Sequence, residues 1–369
     1  MNKIRHVLGI SGGKDSAALA IYLKNTYPTL EIEYYFADTG KELDETYEFI
    51  NNLEVYLGQK ILQLRAVKDS PVDPFDHFLA RYGGYLPSKQ ARWCTRHLKL
   101  EPFEAFVGND PTVSYVAIRG DEDREGYVSH KPNIQTIYPF RKNIWSEEVI
   151  DKVLNNDNLE SLVEIYCQLA NGKKRNMLLE VAKYPVSFDF DQDQKLRALL
   201  DLNVSLFNQV VFEFLKTTPY PLGAVADFPL LDNQDVLGRE DVFRLLEESG
   251  VGKPKYYTEL PLAINGQKGT YFRSRSGCYF CFFQQKIEWI WLYEQHLDLF
   301  EKAQEYEKSG YTWNEGERLE DLVKPERMQR IKEEYLTKTT RACNMKKSNK
   351  LLDILLDESE LEGCVACFV

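Results

Sequence analysis

Ser11-Gly12-Gly13-Lys14-Asp15-Ser16 is the part of the chain where residue types and spacing speak most directly of chemistry. Two adjacent glycines let backbone N–H groups approach a bound anion and tolerate positive φ. Ser11 and Ser16 offer hydroxyl donors, and Lys14 supplies a point charge. The apolar run His6-Val7-Leu8-Gly9-Ile10 before it reads as a buried strand, and Ala17 to Leu23 after it as the first turns of a helix. A helix starting there aims its unpaired N–H groups and the positive end of its dipole at the turn. The arrangement is a pocket for phosphate; its alternative is a glycine turn with no ligand. The spacing differs from two other phosphate loops. A Walker-type loop needs four residues between its first Gly and Gly-Lys, and a dinucleotide turn needs G-x-G-x-x-G.

Four more places carry reactive side chains. Asp38-Thr39-Gly40 ends an apolar, aromatic run, Glu31 to Asp38, that reads as a strand. It puts polar groups at the carboxyl edge of a parallel sheet, where open α/β folds bind ligands, or it caps the next helix. Arg92-Trp93-Cys94-Thr95-Arg96-His97-Leu98-Lys99 holds four cationic or potentially cationic side chains in eight residues, an anion clamp. Cys94 is either a packing residue or, if those cations are close in space, a thiolate suited to carry sulfur or bind a cluster. The strand Val113 to Ile118 runs into Arg119-Gly120-Asp121-Glu122-Asp123-Arg124, either a solvated charge run or cations at the same sheet edge. The pairs Cys278/Cys281 and Cys364/Cys367 are C-x-x-C half-sites. Together they would supply four thiolates for one iron–sulfur cluster or one zinc, with Cys94 and Cys343 as alternative ligands. A redox pair or small packing residues are the competing readings. Cys167 reads as a core residue.

These groups need elements to hold them. Ile61 to Leu64 reads as a third short strand, and residues 68–90, rich in Pro, Asp and Gly, as a loop near the site. Helical periodicity marks Leu159 to Leu169, Asp193 to Leu200, Leu237 to Gly250 and a long stretch from Gln284 to Glu307. The aromatic stripe of that last stretch, with Trp289, Trp291 and Phe300, reads as core. The expected fold is α/β, a twisted and mainly parallel sheet with helices on both faces. The expected divisions are a catalytic domain over 1–149, a helical insertion over 150–236 and a C-terminal helical region with the cysteine knuckle over 237–369.

Composition bounds the function. The 369 residues, 43% hydrophobic and 13% aromatic, are ample for a sizeable core. Net charge is -11, which disfavours a dedicated nucleic-acid surface, although Lys338 to Lys350 is locally basic. No run of about 18 apolar residues occurs, so no membrane span is expected. The N-terminus enters a strand at once, which leaves no room for a leader. Seven cysteines, an odd count, favour metal ligation or sulfur chemistry over disulfides in a cytoplasmic protein.

The S-G-G-K-D-S loop resembles the pyrophosphate loop of the N-type ATP pyrophosphatases, the superfamily of PAPS reductases, ATP sulfurylase small subunits and thiouridine synthetases. A-D-T-G-x-E-L-x-E-T-Y from Ala37 and R-W-C-T-x-x-L-K from Arg92 resemble the second and third motifs of the PAPS reductase branch. The family shape G-x-R-x-x-E-x-x-R is altered here, with Ala117 at its glycine and a compressed E-x-R. C-x-F-C-F-F-Q-Q-K-x-E-W from Cys278 is similar to the C-terminal half of DndC/SspD-like members. The resemblance implies ATP cleaved between its α- and β-phosphates and an adenylated intermediate. It implies magnesium as cofactor and sulfur transfer in DNA phosphorothioation, with a cysteine desulfurase and other DNA-modification proteins as partners. Ser11, Gly12, Gly13, Lys14, Asp15, Ser16, Asp38, Thr39, Arg119 and Arg124 would hold ATP. Lys14, Asp15, Cys94 and Arg119 would carry catalysis. The alternatives are a sulfonucleotide reductase and a non-catalytic ATP-binding scaffold. The ending Gly363-Cys364-Val365-Ala366-Cys367-Phe368-Val369 lacks the reductases' terminal Cys flanked by Gly and His.

Overall fold

The computed structural model describes residues 3–345 except 69, 123, 125–128 and 130, and gives only the backbone path of 308, 309 and 341–345. The expected Cys364/Cys367 pair and the side chain of Cys343 fall outside the described residues.

Five parallel strands form the central sheet: β1 (Arg5–Gly9), β2 (Ile32–Ala37), β3 (Leu62–Leu64), β4 (Thr112–Tyr115) and β5 (Ile134–Ile137), in the order β3-β2-β1-β4-β5. The chain builds outward from β1 on one side, then returns to build β4 and β5 on the other. The reversal leaves a crevice at the carboxyl ends of β1 and β4, where open α/β sheets take their ligands.

Both faces of the sheet are covered at its centre, which is why β1 and β2 lie in largely apolar runs, whereas the edge strand β3 is largely exposed. Alternate residues go to opposite faces. Leu8, Tyr34, Phe36 and Val113 join one large core with α1 (Lys14–Thr26) and α2 (Asp44–Leu57). Val7, Tyr35 and Ile134 join Phe103 and Val107 of the helix Glu101–Val107 on the other face. The helices between residues 147 and 215 extend the first core through Leu162, Tyr166, Leu199 and Phe207. Helix Arg239–Glu248 contributes Val242 and Leu246 to that core.

Three sequence expectations are corrected. The stretch 68–90 contains α3 (Pro74–Arg81), whose Pro at its first position and buried Phe75 and Phe78 mark it as helical. The stretch from Gln284 to Glu307 is two helices, Lys286–Gln295 and Leu297–Glu305, broken at His296, whose Nε2 reaches Glu45 Oε1 of α2 at 3.1 Å. Cys167 is exposed, because helix Leu159–Leu169 turns Leu162 and Tyr166 inward instead. The C-terminal region also carries an antiparallel hairpin, β6 (Leu260–Ile264) and β7 (Gln267–Tyr271). Among the described residues no single helix is long and apolar enough to cross a membrane.

Candidate functional site

The phosphate loop leaves β1 and enters α1 with Gly13 as its N-cap. Gly12 sits at φ +72°, and a Cβ there would fall 2.3 Å from Thr46 Cγ2 of α2. Only glycine fits both the backbone and the space. The loop is stitched by its own serines. The Ser11 N–H donates to Ser16 Oγ at 3.1 Å, and the Gly13 N–H donates to Ser11 Oγ at 3.3 Å.

Asp15 is the hub of the charged groups. Lys14 Nζ lies 2.8 Å from its Oδ2, and Arg119 Nη1 lies 2.8 Å from its Oδ1. Arg119 follows β4, so this pair spans the crevice at the topological switch. Burial pushes the Asp15 carboxyl up, but Lys14 and Arg119 outweigh it and hold it below the ordinary value. Burial works against the Arg119 charge too, and Asp15 and Glu122 reverse that and raise its pKa. Glu122 Oε1 lies 3.0 Å from Arg119 Nη2 and 3.1 Å from Arg124 Nη2. With its counter-ions supplied internally, the crevice presents two partly buried cations to an incoming phosphate.

At the end of β2, Asp38 Oδ1 accepts from the Gly40 N–H at 2.9 Å and from Tyr47 Oη at 2.8 Å. Thr39 Oγ1 donates to Glu42 Oε1 at 2.7 Å and stands 3.2 Å from Cys278 Sγ. Glu42 is buried, and burial with nearby Asp38 raises its pKa against the bond from Thr39 and the charge of Lys99. Burial likewise pushes the Cys278 thiol up, Glu42 adds to this, and Lys99 opposes it.

The knuckle therefore docks on the sheet edge. Glu42 and Cys278 form a backbone bridge, and the Tyr279 N–H donates to the Lys41 carbonyl at 2.9 Å. Arg273, 1% exposed, sits inside the turn and donates to the carbonyls of Cys278 at 2.7 Å and Gly277 at 3.3 Å. The Cys281 N–H closes the turn on the Cys278 carbonyl at 3.2 Å. Cys278 and Cys281 thus stand as a pair of soft donors. Among the described residues no group of three or more His, Cys, Asp and Glu side chains could hold a metal ion. A cluster at the knuckle requires further ligands from the rest of the chain.

Cys94 is half-buried against the aromatic core of the C-terminal region. The cations around it are committed elsewhere. Arg96 and His97 both bind Glu101, at 3.1 and 2.7 Å, and Arg92 lies over the Phe283 ring. Residues 96–100 form a π-helical turn just before Pro102, which has no N–H and crowds the carbonyl one turn back.

Several residues at the loop were not singled out from the sequence. Tyr256 Oη donates to the Gly12 carbonyl at 2.7 Å, Lys14 Nζ sits 5.4 Å from the centre of the Tyr257 ring, and Ser276 Oγ is 3.5 Å from Ser11 Oγ. A Cβ on Gly13 would fall 2.7 Å from Ser276 Oγ. Tyr256 and Tyr257 end the string Lys253-Pro254-Lys255-Tyr256-Tyr257, whose K-P-x-Y-Y pattern is the one sequence signal for them; Ser276 lies two residues before Cys278, with no signal of its own.

Residues 5–131 match the family profile of the phosphoadenosine phosphosulfate reductase domain. The matched span contains the phosphate loop, Asp38, Thr39, Cys94, Arg119 and Arg124, and supports a nucleotide-using activity. The chain is 33% identical over 153 residues to an uncharacterized protein of Methanocaldococcus jannaschii, covering 38% of this chain and 30% of that protein. A second uncharacterized protein of the same organism is 25% identical over 211 residues, 51% of this chain and 49% of that protein. The chain thus spans between 30% and 49% of the length of these curated relatives. No solved structure gives a significant match.

Proposed function

From a nucleotide-using domain whose loop gathers Lys14, Asp15 and Arg119, we propose an ATP pyrophosphatase that adenylates an acceptor for sulfur transfer. The observation that carries this reading is the Asp15 bridge, with both cations 2.8 Å from one carboxylate at the switch crevice. A nucleophilic oxygen of the acceptor attacks the α-phosphorus of ATP. The bond from that phosphorus to the bridging oxygen breaks, and its electron pair leaves on pyrophosphate. Lys14 and the loop N–H groups take up the growing charge, and Arg119 and Arg124 face the phosphates from β4. Magnesium carried on the phosphates would neutralise part of the same charge. Asp15 holds the two cations in register, and Asp38 and Thr39 take the adenosine end. A sulfur nucleophile then displaces AMP from the adenylated acceptor, with the new bond formed to sulfur and the old pair leaving on AMP.

The finer reading is DNA phosphorothioation of the DndC/SspD type, with a cysteine desulfurase supplying sulfur and Cys94 or the knuckle cysteines receiving it. An iron–sulfur cluster, or zinc, would take Cys278 and Cys281 with ligands from outside the described residues. The match to the phosphoadenosine phosphosulfate reductase profile favours sulfonucleotide reduction as a second reading. Product analysis separates the two. ATP supplied with DNA and a persulfide donor should yield AMP and pyrophosphate in equal amounts. Sulfite from phosphoadenosine phosphosulfate with no pyrophosphate from ATP would give the second reading the chain.

A further inference from the structure

A cleft of about 950 Å³ is lined in part by the knuckle segment, through Arg275 and Phe282 to Ile287. Its walls combine cations with aromatic rings: Arg275, Lys286 and Lys338 beside Tyr85, Tyr311 and Tyr335. Arg275 makes no ion pair or side-chain hydrogen bond among the described residues. Lys286 shares Glu317 with Arg327, at 2.5 and 2.6 Å. Arg327 also faces Glu334 at 4.0 Å, so this wall is a balanced network of two cations and two carboxylates, and the Glu317 carboxyl is pushed down to about 2, by the Arg327 bond first, with Lys286 adding to it. Tyr311 is 41% exposed and packs edge-on against Tyr85, which leaves ring surface open to solvent.

The cleft and the phosphate loop are joined by two consecutive residues. Ser276 reaches Ser11 and Gly13, and Arg275, its neighbour, lines the cleft. We propose that this cleft binds the second substrate, a single strand of nucleic acid, and leads it to the nucleotide across the Arg275-Ser276 step. The proposal rests on the adenylation reading for its chemistry and on the cleft for its ligand. Cations along a wall take backbone phosphates, and exposed aromatic faces stack bases without regard to sequence. The chain is acidic as a whole, but the cleft lining holds four cations, Lys89, Arg275, Lys286 and Lys338, against the two carboxylates Glu315 and Glu334.

The test uses the full chain and a labelled single-stranded oligonucleotide of about 16 nucleotides, followed by fluorescence anisotropy. Arg275→Glu and Tyr311→Ala should each weaken binding by about tenfold or more, and Arg275→Glu should flatten the log–log salt dependence by about one unit. Duplex of the same sequence should bind more weakly than the strand, and ATP binding should be unchanged in both variants. No binding of the strand, wild-type affinity in Arg275→Glu, or equal displacement by polyglutamate would overturn the proposal. The two readings fail separately. A strand that binds in the cleft while ATP yields no pyrophosphate removes the adenylation reading and leaves the cleft. Pyrophosphate release without strand binding does the reverse.

Discussion

Asp15 shows how one residue can be both structural and functional at this site. Its carboxylate is nearly buried and binds two cations, so replacing it with Asn takes away the carboxylate that Lys14 and Arg119 share and leaves Arg119 to Asp121 and Glu122. Breaking a buried pair in this way costs about 3–5 kcal/mol, so Asp15→Asn should unfold at markedly lower denaturant than wild type. The pH dependence has a fixed sign. The folded pKa is depressed, so the Asp15 contribution is complete above the ordinary value of 3.8 and is lost as pH falls through the depressed one. Acid titration of stability should show this component in wild type and not in Asp15→Asn. The residue scale was legible wherever a string was local. Ser11 to Ser16 fold as one loop, and Glu122 stands between Arg119 and Arg124. Lys99, whose charge acts on Glu42 and Cys278, was passed over for Cys94, because the sequence does not say which side of a helix meets a partner far along the chain.

Elements place these residues, and two glycine and arginine positions test how. Gly12→Ala forces a left-handed backbone onto a side chain and drives it into Thr46, costing about 1–3 kcal/mol for the clash alone. Its thermal midpoint should fall, and a midpoint equal to wild type would contradict the close approach of α2. Arg273→Met removes the donor from the carbonyls of Gly277 and Cys278, groups buried inside the knuckle turn. Amide exchange over residues 277–281 should accelerate while exchange in β1 stays slow; unchanged exchange would mean the turn holds without the guanidinium. Strands β1 and β2 were readable as largely apolar runs because both their faces are buried, and β4, Thr112-Val113-Ser114-Tyr115, because the apolar run Val116 to Ile118 continues it. The break at His296 was not, because no Gly or Pro marks it and the periodicity runs through. At the break His296 pairs with Glu45, a partner far back in the sequence. Helix α3 carried its own signal in Asp73-Pro74, hidden by a composition that reads as loop.

At the scale of the whole molecule, the phosphate loop is built from segments 244 to 265 residues apart in sequence. Tyr256, Tyr257 and Ser276 close over Gly12, Lys14 and Gly13, and Cys278 touches Thr39. ATP should therefore stabilise the two regions together, by about 2.7 kcal/mol at a concentration 100 times its Kd. Hydrogen exchange with saturating ATP should slow both at residues 9–16 and at 273–281. Protection confined to the first stretch would mean the knuckle segment is a bystander. The fold class was legible from alternating strands and helices, but this closure was not. Nothing local in Arg273-Ser274-Arg275-Ser276 tells that it packs against a glycine turn some 260 residues earlier.

Cleavage of ATP at its α–β bond by the S-G-G-K-D-S loop is tested by pyrophosphate release from wild type and Lys14→Ala, each checked for an intact fold. Wild type should give AMP and pyrophosphate, and the variant should lose about 100-fold or more, the scale of removing one charge-stabilising donor. Pyrophosphate release at the wild-type rate in Lys14→Ala, or ADP and phosphate as the wild-type products, would contradict it.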